Sequence, residues 1–281
     1  MPLVFVPTPL GNLRDMTFRA TDALSECSLV VAEDSRVARK LLSALHLPGK
    51  EIWTYHEHNA RSVTPGILER ARADLVAVVT DAGMPGISDP GNALCAAARA
   101  AGIPIDVLPG PSALIGAAVL SGFDLRRFWF AGFPPRTSAA RRTEFSRSVR
   151  AGETSVWYES PRRILATLAD LNEAAPQTRV FLVREYTKKF EQQILGTAAE
   201  VCAALENPVR GEIAFVIEGG EALPDVSEPA LRDKRIDELL DGSHSVAAIA
   251  KTLADEGFGD RKTIYTLASE QKRLRRETGK P

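Results

Sequence analysis

Apolar positions along the first 120 residues come in two styles that take turns. Short apolar runs stand at Leu3–Pro7, Ser28–Ala32, Ile52–Tyr55, Leu75–Thr80 and Ile103–Leu108. The stretches between them carry apolar residues at helical spacing, which predicts strands alternating with helices. Helices are expected over Thr17–Glu26 and from Asp34 to Leu45. Thr64-Pro65 reads as an N-cap followed by proline at the first helical position. Asp89-Pro90 caps a helix to Ala101, and Ser112 opens a small-residue helix to Leu120. Leu75–Thr80 is apolar without interruption, as a strand covered on both faces should be. Such alternation predicts an α/β fold with a mostly parallel sheet and helices on its faces.

A second block follows, with strands expected at Phe128–Ala131, Ser155–Glu159, Arg179–Glu185, Glu191–Leu195 and Glu212–Glu218. Helices fall near 138–150, 161–174 and 197–205. Gly219–Pro229, with its glycines, prolines and acids, reads as a linker. Beyond it residues 230–276 are expected to form three helices, with the look of a helix-turn-helix in Ser245–Ala254 and Arg261–Leu267. The expected domains are 1–115, 116–220 and 229–276.

The 281 residues are 44% hydrophobic and 25% charged, ordinary for a globular chain. No run approaches the ~18 apolar residues of a membrane span. The first residues lack a basic stretch and Pro7 breaks the apolar run, so no secretory signal is expected and the cytoplasm is the expected location. Cys27, Cys95 and Cys202 are far apart, each in a segment that reads as helical; they form no CxxC pair, and the four histidines leave little material for a metal site. No metal is expected. Net charge is −1, so contact with nucleic acid must come from local patches. Residues 136–150 hold five arginines against one glutamate, and residues 272–280 five cations against one glutamate.

There is no GxGxxG after a strand, no GxxxxGK[ST] and no GxSxG elbow. Instead, three glycine- and proline-rich loops follow expected strands: Pro7–Leu13, Thr80–Gly91 and Leu108–Ala113. The carboxyl edge of an open α/β sheet is where ligands bind. Glycine lets backbone approach a ligand, proline stiffens the loop, and free N–H groups at a helix start can hold a carboxylate or a ribose. Each loop alone reads first as a well-made turn; three on one edge tilt the reading toward a nucleotide-like ligand. A second, polar constellation comprises Ala32–Arg36, Trp157–Arg163, Arg184–Glu191 and Arg210–Ile213. It reads either as salt-bridged scaffolding or as a pocket for a phosphate-bearing substrate.

Taken together, residues 7–13 (PTPLGNL), 32–36 (AEDSR), 80–91 (TDAGMPGISDPG), 109–113 (PGPSA), 158–163 (YESPRR), 184–191 (REYTKKFE) and 210–219 (RGEIAFVIEG) resemble the 16S rRNA 2′-O-ribose methyltransferase I family, of the tetrapyrrole-methylase fold. Met84 stands where the family pattern has threonine, and Arg162 where it has histidine. The resemblance implies a two-domain α/β enzyme with S-adenosylmethionine in the cleft between domains and a small C-terminal helical domain. It also implies a homodimer that methylates the ribose 2′-hydroxyl of a cytidine in the decoding centre of the 30S subunit. Placed by motif, the expected cofactor contacts are Leu10 and Gly11, then Asp81, Gly83, Met84 and Ser88, then Ser112 and Ala113. From the second domain they are Tyr158, Gly211, Ile213 and Ala214.

A ribose hydroxyl is a weak acid, so a nearby proton acceptor would help. Glu33, Asp34, Glu159 and Glu185 lie on the motif edges; Glu33 and Glu185 are the first candidates, and Lys188 serves if its pKa is depressed. Phosphate contacts are expected from Arg36, Arg39 and Lys40 and from Arg141, Arg142, Arg162, Arg163, Lys188 and Lys189. Two other functions remain open: a tetrapyrrole methyltransferase of the same fold, and a non-catalytic RNA-binding assembly factor.

Overall fold

The computed structural model describes residues 3–220, 229–242, 244–255 and 258–278. The first five apolar runs become β1 (Leu3–Phe5), β2 (Leu29–Ala32), β3 (Glu51–Thr54), β4 (Val76–Val79) and β5 (Ile105–Val107). They form one parallel sheet in the order β3-β2-β4-β1-β5. The helices between them are α1 (Phe18–Glu26), α2 (Ser35–Ala44), α3 (Ala60–Ala73) and α4 (Gly91–Ala100). Alternate strand residues face opposite ways. Val4, Val30, Ala77 and Val79 pack with Leu24 of α1 and Leu42 of α2. Leu3, Phe5, Val31 and Val78 pack with Ile67 of α3 and Leu94 of α4. Burial on both faces explains the unbroken apolar runs.

The helix expected to open at Thr64-Pro65 begins a turn earlier. Asn59 accepts the His56 N–H through its side chain and donates its own N–H to the His56 carbonyl, which turns the chain into α3 at Ala60. Pro65 sits inside the helix on an exposed face. There the carbonyl that loses its donor can turn to water.

After β5, α5 (Ala113–Ser121) crosses to a second sheet and buries Ala117 and Ala118 against Val156, Phe181 and Val216. That sheet comprises β6 (Phe128–Gly132), β7 (Thr154–Glu159), β8 (Arg179–Arg184), β9 (Gln192–Thr197) and β10 (Ile213–Ile217), in the order β6-β7-β10-β8-β9. Only β6 and β7 run parallel; β10 inserts antiparallel between β7 and β8. Its other face carries α6 (Ser138–Arg150), α7 (Ile164–Ala174) and α8 (Ala198–Ala204), packed around Trp157, Leu168 and Phe215. Of the cysteines, Cys27 follows the last residue of α1 and is buried, while Cys95 and Cys202 are half-buried.

Residues 1–149 and 153–219 form one compact unit, and residues 150–152 with 220–281 another. In the second, α9 (Pro229–Asp241), α10 (Val246–Asp255) and α11 (Arg261–Thr278) share a core of Ile236, Ile249, Leu253 and Ile264. The last helix extends well past Leu267, its N-terminus capped by Asp260 and its end tied to α9 by Arg275, which pairs with Asp237 and Asp241. Most of the expected linker, residues 221–228, and Lys280 of the basic tail lie outside the described residues. No described helix is long and apolar enough to cross a membrane.

Candidate active site

The carboxyl ends of β1, β2 and β4 and the same edge of the second sheet border a cavity of about 450 Å³. That size is in the range of small-molecule sites. Its first wall is built by backbone. Thr8 and Gly83 exchange N–H···O bonds of 2.9 and 3.0 Å, and the Thr8 hydroxyl donates to the Thr80 carbonyl. The two loops are thereby pinned together beneath Leu10. Gly83 has φ +82°, and a Cβ there would press on the Leu10 side chain. Ser88 also holds a left-handed φ of 61°, a conformation that costs a non-glycine residue free energy and concentrates at functional loops. Asp89 steadies that loop by accepting the Gly86 and Gly91 N–H groups, both at 2.7 Å.

The second wall comes from register. Ala214 of β10 lies opposite Tyr158 of β7 and Val183 of β8, so these three side chains form one row facing the cavity. Burial pushes the Tyr158 phenol pKa up, against a hydrogen bond with the backbone of Leu114. Ser112 caps α5 through the Ile115 N–H, which sets Ser112 and Ala113 on the cavity rim.

Of the expected cofactor contacts, Leu10, Asp81, Gly83, Met84, Ser88, Ser112, Ala113, Tyr158, Gly211, Ile213 and Ala214 all line this one cavity. Gly11 does not line it. Its α-carbon lies against the stem of Lys188, leaving no space for a Cβ. Sequence reasoning passed over Thr80, Ile87, Asp89, Phe133, Tyr186 and Glu212 as lining residues. Three of these sit inside the 80–91 loop, where motif spacing could not tell which side chains turn inward. Phe133 lies outside every recognised motif, and its only signal was an aromatic following a strand's final glycine.

The lining is acidic. Burial first, and the neighbouring Asp81 next, push the Glu33 carboxyl up; its Oε2 accepts from the Thr80 hydroxyl at 3.3 Å. Burial likewise raises Asp81, whose Oδ1 accepts the Asp34 N–H, and Asp89. Asp34 is different: it caps α2 and grips Arg36, which lowers its pKa to about 2. Glu159 is spent on structure, accepting from the Ser160 N–H, the Thr167 hydroxyl and Arg163.

Two proposed proton acceptors change character. Burial alone would lower the Lys188 ammonium, but Glu185 at 2.9 Å and Glu212 at 3.0 Å hold it above its ordinary value. Lys188 therefore stays protonated and is no base. Burial alone would raise Glu185, but Lys188 and the Glu212 N–H hold it below the usual range. It is a committed ion-pair partner outside the cavity lining. Glu33 is the candidate left facing the cavity.

The expected phosphate-binding cations also divide. Arg141 is 7% exposed, with Asp170 at 2.5 Å and the carbonyls of Pro135 and Arg136 taking its remaining donors. Arg163 donates to the carbonyls of Pro134 and Pro135. Arg141 holds the chain rather than a ligand, because burial and filled donors leave nothing for a phosphate; Arg163, with its side chain 31% exposed, spends its Nη2 on Pro134, Pro135 and Glu159. Arg142 is half-buried and paired with Glu173. Arg36, Arg39 and Lys40 are exposed along α2, and Arg162 and Lys189 are exposed beyond the second sheet. Among the described residues no cluster of histidine, cysteine or carboxylates could hold a metal ion.

The family model of Tetrapyrrole (Corrin/Porphyrin) Methylases matches residues 2–202. The chain is 38% identical to the ribosomal RNA small subunit methyltransferase I of Synechocystis sp. over 95% of its own length and 97% of that protein's. It is also 38% identical to the enzyme of that name from Neisseria meningitidis serogroup B, over 95% and 92%. Among solved structures, a uroporphyrin-III-C-methyltransferase from Thermus thermophilus superposes with a TM-score of 0.53 at 23% identity, covering 79% of this chain and 99% of that one. That likeness speaks for the fold alone. Matched along nearly its whole length, the chain belongs to the ribosomal RNA small subunit methyltransferase I family, within the tetrapyrrole methylases.

Proposed function

We propose that the protein transfers a methyl group from S-adenosylmethionine to the ribose 2′-hydroxyl of a cytidine in the decoding centre of small-subunit ribosomal RNA. The observation that carries this reading is the single cavity in which nearly all the motif-placed cofactor residues meet. The residues fit the group. Raised carboxyls at Glu33, Asp81 and Asp89 suit a ligand bearing an ammonium and a sulfonium, and can accept from ribose hydroxyls. Backbone at Gly83, at positive φ, permits close approach. S-adenosylmethionine supplies a methyl on a good leaving group, so alignment of the acceptor carries much of the rate.

Within this reading Leu10, Gly83 and Ala214 shape an apolar seat, and Asp81 orients the ligand's hydroxyls or amino group. Glu33 accepts the proton from the substrate hydroxyl; its raised pKa makes it a better base than an ordinary glutamate. Arg36, Arg39, Lys40, Arg162 and Lys189 draw in the RNA backbone. The acidic cavity itself repels phosphate. Residues 1–115 and 116–220 act as one domain per sheet. The exposed apolar face of α5, with Ile115 and Val119, supports a homodimer. A cytoplasmic location follows from a ribosomal substrate.

The test is nucleoside mass spectrometry of 16S rRNA digested after incubation of 30S subunits with the protein and S-adenosylmethionine. The expected product is 2′-O-methylcytidine. A base-methylated nucleoside would contradict the proposal.

A further inference from the structure

A phenylalanine is 54% exposed at the rim of the cavity. Phe133 follows Gly132, whose φ of 71° turns the chain out of β6. An exposed aromatic on a free loop would mean little. This one stands on a fixed mount. Pro134 is buried, and both Pro134 and Pro135 stiffen the backbone. Arg163 donates to the carbonyls of Pro134 and Pro135 at 2.8 and 2.9 Å. Arg141 donates to those of Pro135 and Arg136 at 3.3 and 2.9 Å. Each arginine is itself anchored, Arg141 on Asp170 and Arg163 on Glu159.

The ring is also braced from one side. Tyr158 meets it edge-on with centroids 6.0 Å apart, and Phe130 braces Tyr158 at 4.9 Å. Much of Phe133 remains open to solvent. Arg136, three residues on, and Arg162, next to the cavity-lining Pro161, are exposed and make no salt bridge among the described residues. The cavity floor is acidic, but the rim beside Phe133 is basic.

We propose that Phe133 is a stacking platform for a nucleobase of single-stranded RNA, with Arg136 and Arg162 placed for the flanking phosphates. The proposal rests on the rRNA reading of the cavity. Aromatic stacking accepts any base and needs only a planar face held still; rigid mounting removes the cost of ordering it on binding. Unstacked bases in RNA are held on aromatic faces in this manner. In this account Arg141 and Arg163 are positioning residues that fix the platform from behind. The acidic floor leaves the cofactor's cationic groups inside and the RNA's phosphates at the rim.

The test compares Phe133→Ala, Phe133→Leu and Phe133→Trp. Three quantities are read: KM for 30S subunits, Kd for a single-stranded oligoribonucleotide by fluorescence anisotropy, and Kd for S-adenosylmethionine by calorimetry. The Ala and Leu variants should raise the two RNA constants by about 5- to 100-fold, the range for losing one stacked base. The Trp variant should restore them, and the cofactor Kd should stay within about 2-fold for all three. Should Phe133→Ala fail to fold, the Leu and Trp variants still separate stacking from apolar filling. Full RNA binding in Phe133→Leu overturns the proposal. So does a weakened cofactor Kd with unchanged RNA constants, which assigns the ring to the adenine instead. If the wild-type protein binds the oligoribonucleotide through Phe133 yet methylates no rRNA, the platform stands and the rRNA reading falls. Methylation of rRNA with unchanged constants in Phe133→Ala does the reverse.

Discussion

The stem of Lys188 lies on the α-carbon of Gly11, joining the loop after β1 to the turn after β8. Two further glycines receive the same turn: Gly211 faces Glu185 and Gly116 faces Tyr186. The turn holds left-handed φ at both Glu185 and Thr187, and its charges close on one another through Lys188, Glu185 and Glu212. Glycine is required at these places by what presses on it. Gly11→Ala should therefore destabilise the fold by about 1–3 kcal/mol, as overpacking does, in urea unfolding. Weakened cofactor binding at unchanged stability would return Gly11 to the cofactor site.

Asp170 is the buried anchor of Arg141, with Ser138 donating to its other oxygen. Removing one partner leaves an uncompensated buried charge. Asp170→Ala should cost about 3–5 kcal/mol in urea unfolding. The acid response has a definite sign. Burial alone would raise the Asp170 carboxyl, but Ser138 and Arg141 hold it below the ordinary range. Its stabilisation is thus present above the unfolded carboxylate pKa and is lost as pH falls through the lower folded value. Denaturation scans between neutral and strongly acidic pH should show an acid limb that Asp170→Ala lacks.

The strands were legible in the sequence because burial on both faces writes continuous apolar runs, as in Val76–Val79. The cavity was legible because its walls are short loops at strand ends, where glycine, proline and caps leave marks. What stayed hidden depends on side-chain partners far apart in the chain. Arg141 and Arg163 looked like phosphate ligands until Asp170, Glu159 and three loop carbonyls were seen to occupy them. Lys188 looked like a base until two carboxylates proved to hold its proton. The start of α3 was misplaced because the Asn59–His56 turn outweighs the proline signal at Pro65.

Glu33 gives a pH signature in activity. Its carboxyl is raised, so the ionised acceptor is lost as pH falls through a value above that of an ordinary glutamate. The kcat profile should show this limb, and Glu33→Gln should remove it while lowering kcat by about 10²–10⁴-fold. Because folding disfavours the ionised form, Glu33→Gln should also raise Tm at neutral pH. An unchanged kcat profile would take the proton-acceptor role from Glu33.

Residues 220–281, with 150–152, make a compact unit built on their own core of Ile236, Ile249 and Leu253. A chain ending at Gly219 should keep its calorimetric affinity for S-adenosylmethionine and bind 30S subunits more weakly, by about 10-fold or more if the exposed cations of α11 engage RNA. Equal affinity for the subunit would leave the helical unit without a part in substrate binding.

The most direct measurement is transfer of tritium from methyl-labelled S-adenosylmethionine to isolated 30S subunits, with nuclease mapping of the labelled rRNA and a tetrapyrrole offered in parallel. The account predicts label at a single cytidine of 16S rRNA, resistant to alkaline cleavage, and none in the tetrapyrrole. Label in the tetrapyrrole alone, with cofactor bound and rRNA unmarked, would contradict it.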